Sequence, residues 1–259
     1  MLVSSCLPKP LFLVTFDSQG GSAVETQTVE EGELLTAPTA PTKEGSIFAG
    51  WYKETGGINP WNFASDTVTA DITLYAKWEL LEVGDNYGGG IVAYIFKDNG
   101  DNPDDPGYVM GETHGLIAAT EDQSDGIVWI TGGDTIITLN GGTSAALGTG
   151  ATNTAAIIAQ AEAASNDNLS TYAAGIYANY INTDNGTGVF DDWFLPSKDE
   201  LNKLYLKKEE IGGFANLTYW SSSEYSALLT VWYHCFENGS QDYDGFKIDK
   251  FGVRAVRYF

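Results

Sequence analysis

Between Tyr219 and Phe259 the chain carries two runs of β-branched and aromatic residues, parted by the turn-like Glu237-Asn238-Gly239-Ser240. That pattern fits strands joined by a tight turn and fits no helix. Along the first run Trp232, His234 and Phe236 share one face, and Tyr233 and Cys235 share the other, because side chains alternate along a strand. Trp232 and Phe236 are the larger apolar pair and are expected in the core. Tyr233 and Cys235 are then expected to point outward, where a ring and a thiol cost solubility unless they recognise something or lie under another loop. Pairing across the turn brings residues 241–246 beside residues 231–236. The candidate ligand-binding surface therefore takes in Tyr225, the apolar loop Ala227, Leu228 and Leu229, and the outward Tyr233 and Cys235. Asp242, Tyr243, Asp244 and Phe246 complete it from the second run. Cover by the loops 98–107 or 182–190 is the competing reading.

The charge balance narrows the class of partner. Lys and Arg number 13 against 35 Asp and Glu, a net charge of −22. Such a field repels nucleic acid and anionic membrane surfaces. No apolar run approaches the ~20 residues that span a bilayer. The partners left are a protein or a carbohydrate, with membrane contact only through a lipid anchor. Met1-Leu2-Val3-Ser4-Ser5-Cys6 resembles a bacterial lipobox, although the charged and most of the apolar part of a signal are missing. Residues 1–11 are read as the remnant of a lipoprotein signal or tether, with Cys6 as the lipidation site. Cys6 and Cys235 are the two cysteines, and no spacing pattern pairs them.

Residues 12–79 form a first unit. Strands are expected at Phe12–Phe16, Phe48–Tyr52 and Ile72–Trp78. Val14-Thr15-Phe16-Asp17 with Gly20-Gly21, Pro41-Thr42 with Gly45, Phe48-Ala49-Gly50-Trp51-Tyr52, and Asp71 to Trp78 together resemble the Listeria–Bacteroides repeat, also called the internalin-type B-repeat. The resemblance implies a small β-grasp-like module of bacterial surface proteins, used as a spacer or stalk, whose aromatic residues are core.

Residues 82–259 form the second unit. Gly88-x-Gly90 is not followed by a helix, so no dinucleotide site is read there. Ile91–Phe96 and the stretch after His114-Gly115 read as strands. The acidic loop 98–107, calcium-competent in composition over 98–105, lacks the spacing and closing Glu of an EF-hand and reads as a solvated loop. Thr152 or Asn153 is expected to cap a helix running to about Ala164, and Tyr172–Ile181 to form a second, alanine-rich helix. Ser197 with Glu200 is a capping box, followed by Leu201, Leu204, Tyr205 and Lys208 at helical spacing and stopped by Gly212-Gly213. Asp191-Asp192 is a poor acid/base pair, because neighbours on a strand face opposite ways. Arg254 and Arg257, three apart, also face opposite ways. The inward one needs a carboxylate, with Glu224 or Glu200 the expected partner.

Gly84-Asp85 with Gly88-Gly89-Gly90, His114-Gly115-Leu116-Ile117-Ala118-Ala119, Trp193-Phe194-Leu195-Pro196-Ser197-Lys198-Asp199-Glu200-Leu201, Tyr219-Trp220-Ser221-Ser222-Ser223-Glu224 and Val253-Arg254-Ala255-Val256-Arg257 together resemble the C-terminal domain of Legionella collagen-like protein. That family implies an α+β fold of the C-type-lectin-like, formylglycine-generating-enzyme-related kind, with no catalytic constellation, no cofactor and no metal. The C-terminal region also resembles variable proteins of diversity-generating retroelements. Ala227, Leu228, Leu229, His234, Cys235, Asp242, Asp244, Phe246, Ile248 and Asp249 all belong to the residues that randomised Asn codons can encode. The reading is a bacterial surface-displayed binding protein or adhesin, not an enzyme, recognising its ligand through a C-terminal face. A structural, oligomeric surface subunit is the alternative. An enzyme like the formylglycine-generating one is the other rival, and it would need activated cysteines or metal-bound thiolates that Cys235 alone does not supply.

Overall fold

The computed structural model describes residues 8–97, 105–131, 142–164, 168–183, 188–225 and 230–259. Cys6, Ala227, Leu228, Leu229 and loop positions 98–104 lie outside them. The chain divides into two compact units, Met1–Leu81 and Glu82–Phe259.

The first unit is one four-stranded sheet. Its strands are β1 (Leu11–Asp17), β2 (Gln27–Glu30), β3 (Ser46–Tyr52) and β4 (Ile72–Leu80), in the order β2-β1-β4-β3. β1 runs parallel to β4, and the other pairs are antiparallel. Alternation decides the faces: Val14 and Phe16 are buried while Leu11 and Leu13 are exposed. The buried face gathers Trp51, Leu74 and Ala76 with Leu35, Trp61 and Val68 from the connections. Phe16 meets Trp51 edge-on at 4.8 Å. Gly21 is sterically required, because a Cβ there would lie 2.4 Å from the Trp78 ring. β2 has no counterpart in the sequence reading, since Gln-Thr-Val-Glu buries none of its side chains.

The second unit is also β-rich with few helices. It begins with β5 (Asn86–Tyr87), β6 (Gly90–Ile95), β7 (Gly115–Ala118) and β8 (Ser124–Val128), followed by helix α1 (Gly150–Ala163). A short pair, β9 (Asn182–Thr183) and β10 (Val189–Phe190), precedes α2 (Lys198–Leu206) and α3 (Lys208–Ile211). The chain ends in β11 (Thr218–Glu224), β12 (Thr230–Cys235), β13 (Gln241–Phe246), β14 (Lys250–Val253) and β15 (Val256–Tyr258). One sheet has the order β13-β12-β11-β14-β8 and the other β15-β7-β6-β5. Trp129, Trp220, Val231 and Val253 pack with Ile157 and Ala161 of α1 in one core, and Leu201 and Leu204 of α2 pack with Tyr219 and Phe236 in a second. The first sheet thus has an apolar layer on each face.

Two helix expectations need correction. α1 starts at Gly150, and Thr149, its N-cap, makes no side-chain cap bond. The start is set by packing: a Cβ on Gly150 would meet a Glu200 carboxylate oxygen at 2.2 Å. Asn153 is not a cap but a buried tie, donating from Nδ2 to Ser144 O at 2.7 Å and to Ser222 Oγ at 3.1 Å. The segment 172–181 is not an α-helix but a 3-10 turn, Gly175–Asn179, after a shorter one at Leu169–Thr171. Tyr172 between them is extended, and its buried ring lies where a Gly175 side chain would go. The alanines there serve close packing, with Ala173 and Ala174 fully buried.

The capping box of α2 is complete, and Glu200 does more than close it. Its carboxylate also accepts Gly148 N–H at 2.9 Å and the Tyr258 hydroxyl at 2.6 Å. Burial holds its carboxyl above the usual range, against the pull of these bonds. Gly212 and Gly213, at φ 71° and 70°, end α3 in the left-handed region that glycine favours. Arg254 sits where the chain leaves β14 for β15 and is wholly buried. Its partner is Asp122, at 2.7 Å from Nε, not Glu224 or Glu200. Carbonyls of Ala119 and Gly213 take its other donors. Arg257 binds Asp192 through Nε at 2.5 Å and a terminal nitrogen at 2.9 Å. The two expected acids are committed elsewhere: Glu200 to its cap and Tyr258, and Glu224 to Lys247.

Candidate functional site

The register of β12 and β13 builds the candidate surface. Tyr233 pairs with Asp242, but Val231 pairs with Gly245. Two residues, Tyr243 and Asp244, therefore oppose the single Trp232, which is a β-bulge. Tyr243 meets Trp232 with ring centroids 5.3 Å apart at 67°. Tyr225, just past the end of β11, stacks on Tyr243 at 4.0 Å and meets Trp232 edge-on at 5.6 Å. Such edge and offset pairs are the arrangements that the ring quadrupole favours. The Lys198 ammonium lies over the Trp232 ring at 4.7 Å. Its backbone is fixed on both sides, donating to Ser223 Oγ at 2.9 Å and accepting Gln241 Nε2 at 2.8 Å.

The ring cluster stands on a buried base. Glu224, the residue before Tyr225, forms an ion pair with Lys247, and both side chains are almost fully buried. The Lys247 ammonium also lies 5.0 Å from the Trp129 ring centroid. Tyr225 N–H donates to Thr230 O at 3.1 Å, and Thr230 pairs with Phe246. Tyr225 and Phe246 therefore flank Thr230. At the β13–β14 turn Phe246 N–H donates to Asp249 Oδ2, and Asp249 N–H returns the bond to Phe246 O.

The sequence-derived surface divides between the two faces of the sheet. Tyr225 and Tyr243 belong to the ring cluster, with 53% and 44% of their surface exposed. Trp232, expected in the core, is half-buried and is the third ring of that cluster. Tyr233, expected outward, is half-buried on the opposite face against Phe251, centroids 5.2 Å apart. Its hydroxyl donates to Asp244 Oδ1 at 2.7 Å. Burial first, then Asp244, raises its phenol pKa. Cys235 is a half-buried free thiol, on Tyr233's side by alternation. Asp242 and Asp244 are exposed on β13, and Phe246 is 50% exposed at its end.

The bulge itself had a signal in Gly245. A Cβ on Gly245 would lie 2.8 Å from the Tyr233 ring and 2.9 Å from the Trp220 ring. A glycine inside a strand pattern marks such a bulge or close approach. Lys198 had no such signal.

His234 belongs to the core, not to the surface. Its ring lies 4.5 Å from that of Tyr205, and its Nε2 is 3.2 Å from Gly239 O. A carbonyl only accepts, so Nε2 carries the proton and Nδ1 is a buried acceptor without a partner among the described residues. Burial depresses the imidazole pKa to about 4. Among the described residues no group of His, Cys, Asp and Glu is arranged to hold a metal ion, and no helix is long and apolar enough to cross a membrane. What the surface offers chemically is ring faces, a fixed ammonium and carboxylates, the means of non-covalent recognition.

Residues 12–77 match the profile of the Listeria-Bacteroides repeat domain, so the chain contains one such repeat. A putative membrane protein of Evansella cellulosilytica is 33% identical over 122 residues, which cover 46% of this chain and 18% of that protein. Internalin H of Listeria monocytogenes is 42% identical over 81 residues, covering 30% of this chain and 14% of the internalin. The chain thus spans less than a fifth of the length of these relatives. Among solved structures, a fimbrial protein from Bacteroides ovatus aligns over 96% of this chain and 70% of its own, with 13% identity and a TM-score of 0.43. That score is too low to carry an assignment.

Proposed function

We propose that this chain is a bacterial surface-displayed binding protein whose second unit recognises its partner through the Tyr225–Trp232–Tyr243 cluster. One observation carries the reading. Tyr225, Tyr243 and Phe246 are the exposed aromatic side chains among the described residues, and all three lie at one end of one sheet. Exposed rings cost solubility, and their concentration in one place marks a contact site. The surface location is supported by the repeat itself and by relatives named as membrane proteins and an internalin. Anchoring through a lipidated Cys6, a C-type-lectin-like fold of residues 82–259 and codon diversification of the C-terminal region belong to the same proposal. They rest on the sequence resemblances. A near-copy of the gene's 3′ end beside a reverse transcriptase is the observation that tests the diversification.

The binding role is tested with Tyr225→Ser and Tyr243→Ser in the full chain, displayed on cells and probed with protein and glycan arrays. Both variants are expected to keep the parent's melting temperature within a few degrees, because exposed positions carry little stability. Both are expected to lose the array signals that the parent gives. Unchanged array signals, or a collapse in melting temperature, would defeat the proposal. No catalytic step is assigned: among the described residues the cluster holds no nucleophile beside a base, and burial keeps His234 neutral in the core.

A further inference from the structure

We infer that the partner is a protein presenting arginine side chains to this surface; this rests on the binding reading above. The first ground is the mixture of exposed apolar groups. Ile248, 75% exposed, stands with Phe246 at the β13–β14 turn, and Phe246 shares Thr230 as a neighbour with Tyr225. Sugars stack on ring faces and gain little from an aliphatic side chain. A protein interface uses both, with an apolar centre inside a polar rim.

The second ground is the accessibility of the rings. Tyr225 and Tyr243 cover one face of each other at 4.0 Å, and both meet Trp232 at steep angles. Among the described residues, each Tyr keeps the ring face that its partner does not cover, and both side chains are exposed. A planar guanidinium fits such a face and can donate to a carboxylate at the same time.

Charge is the third ground. β13 places exposed Asp242 and Asp244 on either side of Tyr243 in sequence, and Asp249 follows at the turn. Of the nearby cations, Lys247 is buried with Glu224, Lys198 lies over Trp232 and 3.4 Å from Asp199, and Lys250 is exposed just after Asp249. Asp242 pairs with Tyr233 and Asp244 accepts its hydroxyl, so these carboxylates line the β13 edge beside the cluster; with Asp199 and Asp249 they outnumber Lys198 and Lys250, in a chain that carries −22 overall. Such a field speeds the approach of a basic surface and disfavours an acidic one. Among the described residues β13 is also an edge strand, with no further strand of its sheet beyond these carboxylates.

The test uses the full chain, isotopically labelled, titrated at physiological salt with three probes. One is a short synthetic peptide alternating Arg with Leu. The second has Glu in place of Arg. The third is a panel of neutral and acidic oligosaccharides. The Arg peptide is expected to shift the backbone signals of Tyr225, Trp232 and Tyr243 and to bind at least about tenfold more tightly than the Glu peptide. Asp242→Asn with Asp244→Asn, and separately Tyr243→Ser, are each expected to weaken that binding about tenfold. Glu30→Gln with Glu31→Gln, an equal loss of charge in the first unit, is expected to leave it unchanged. Shifts spread over the acidic surface, or an equal effect of the control variant, would overturn the inference. An oligosaccharide that shifts the same ring signals, with the Arg peptide silent, overturns the protein partner while sparing the recognition reading. If no probe moves those signals, the Arg-presenting partner fails, and the recognition reading is judged by the array experiment alone.

Discussion

His234 is a buried base that must stay neutral for the fold to hold. Its ordinary value is 6.5, and burial brings it to about 4 in the folded protein. Between those two values the unfolded chain binds a proton that the folded one refuses, so stability falls as pH drops through that window. The full difference is about 3 kcal/mol, as an order of magnitude. Glu200 acts in the opposite sense. Its folded value is raised, so it favours the folded state in acid and loses that contribution as pH rises through the raised value. Urea titrations of the parent and His234→Gln separate the two. The parent is expected to lose stability from pH 6.5 to 4 relative to the variant, whose Glu200 is intact; parallel curves would refute the assignment. Arg254 gives a sharper case. Its guanidinium is fully buried against Asp122 and the carbonyls of Ala119, Gly212 and Gly213. Arg254→Met leaves Asp122 without its cation and is expected to cost roughly 3 kcal/mol or more in chemical denaturation. The need for a carboxylate was legible in the sequence, because an inward arginine demands one. Which carboxylate was not, since Asp122 comes from a distant connection between β7 and β8 and only the fold brings it there.

At the scale of elements, legibility followed local chemistry. The capping box of α2 and the glycine stop after α3 were readable because both are made within a few residues. Strands β1, β3 and β4 announced themselves by alternation or by β-branched and aromatic content. The segment 172–181 misled because alanine is a strong helix former in isolation, while here its small volume serves packing around the Tyr172 ring. The binding surface misled in the same way. Alternation along β12 holds, but the sheet is covered on both faces: Tyr233 packs against Phe251 on one, and Trp232 on the other lies at the exposed ring cluster. Gly245 flanks the bulge in β13. Gly245→Ala must push against the Tyr233 and Trp220 rings and is expected to cost about 1–3 kcal/mol, the usual range for overpacking. Tyr225→Ala removes only an exposed ring, and a smaller loss is expected there. Equal melting temperatures for the parent and Gly245→Ala would mean that the bulge tolerates a side chain, and the close approach of Gly245 to the Tyr233 and Trp220 rings would not be what keeps it a glycine.

For the whole chain, each unit closes a core of its own. Val14, Phe16, Trp51 and Leu74 pack together in the first, while Trp129, Trp220, Leu201 and Phe236 serve the second. A fragment from Glu82 onward is therefore expected to melt cooperatively by itself and to retain any ligand bound by the ring cluster. A fragment without a cooperative transition, beside a full chain that has one, would sink the division into self-sufficient units. Net charge supplies a second measurement at this scale, because salt acts on two properties in opposite directions. At −22 the folded chain repels itself, and screening relieves that repulsion. Raising ionic strength from about 0.01 M to 0.15 M shortens the screening length from roughly 30 Å to 8 Å. The melting temperature is then expected to rise. Association with a cationic partner depends on the same field as an attraction, so its rate is expected to fall over the same range. The buried pairs, Arg254 with Asp122 and Lys247 with Glu224, are shielded from the salt and contribute to neither trend. Stability and capture rate moving in the same direction would mean that the overall field governs only one of them, and that the acidic rim of the ring cluster does not steer the partner.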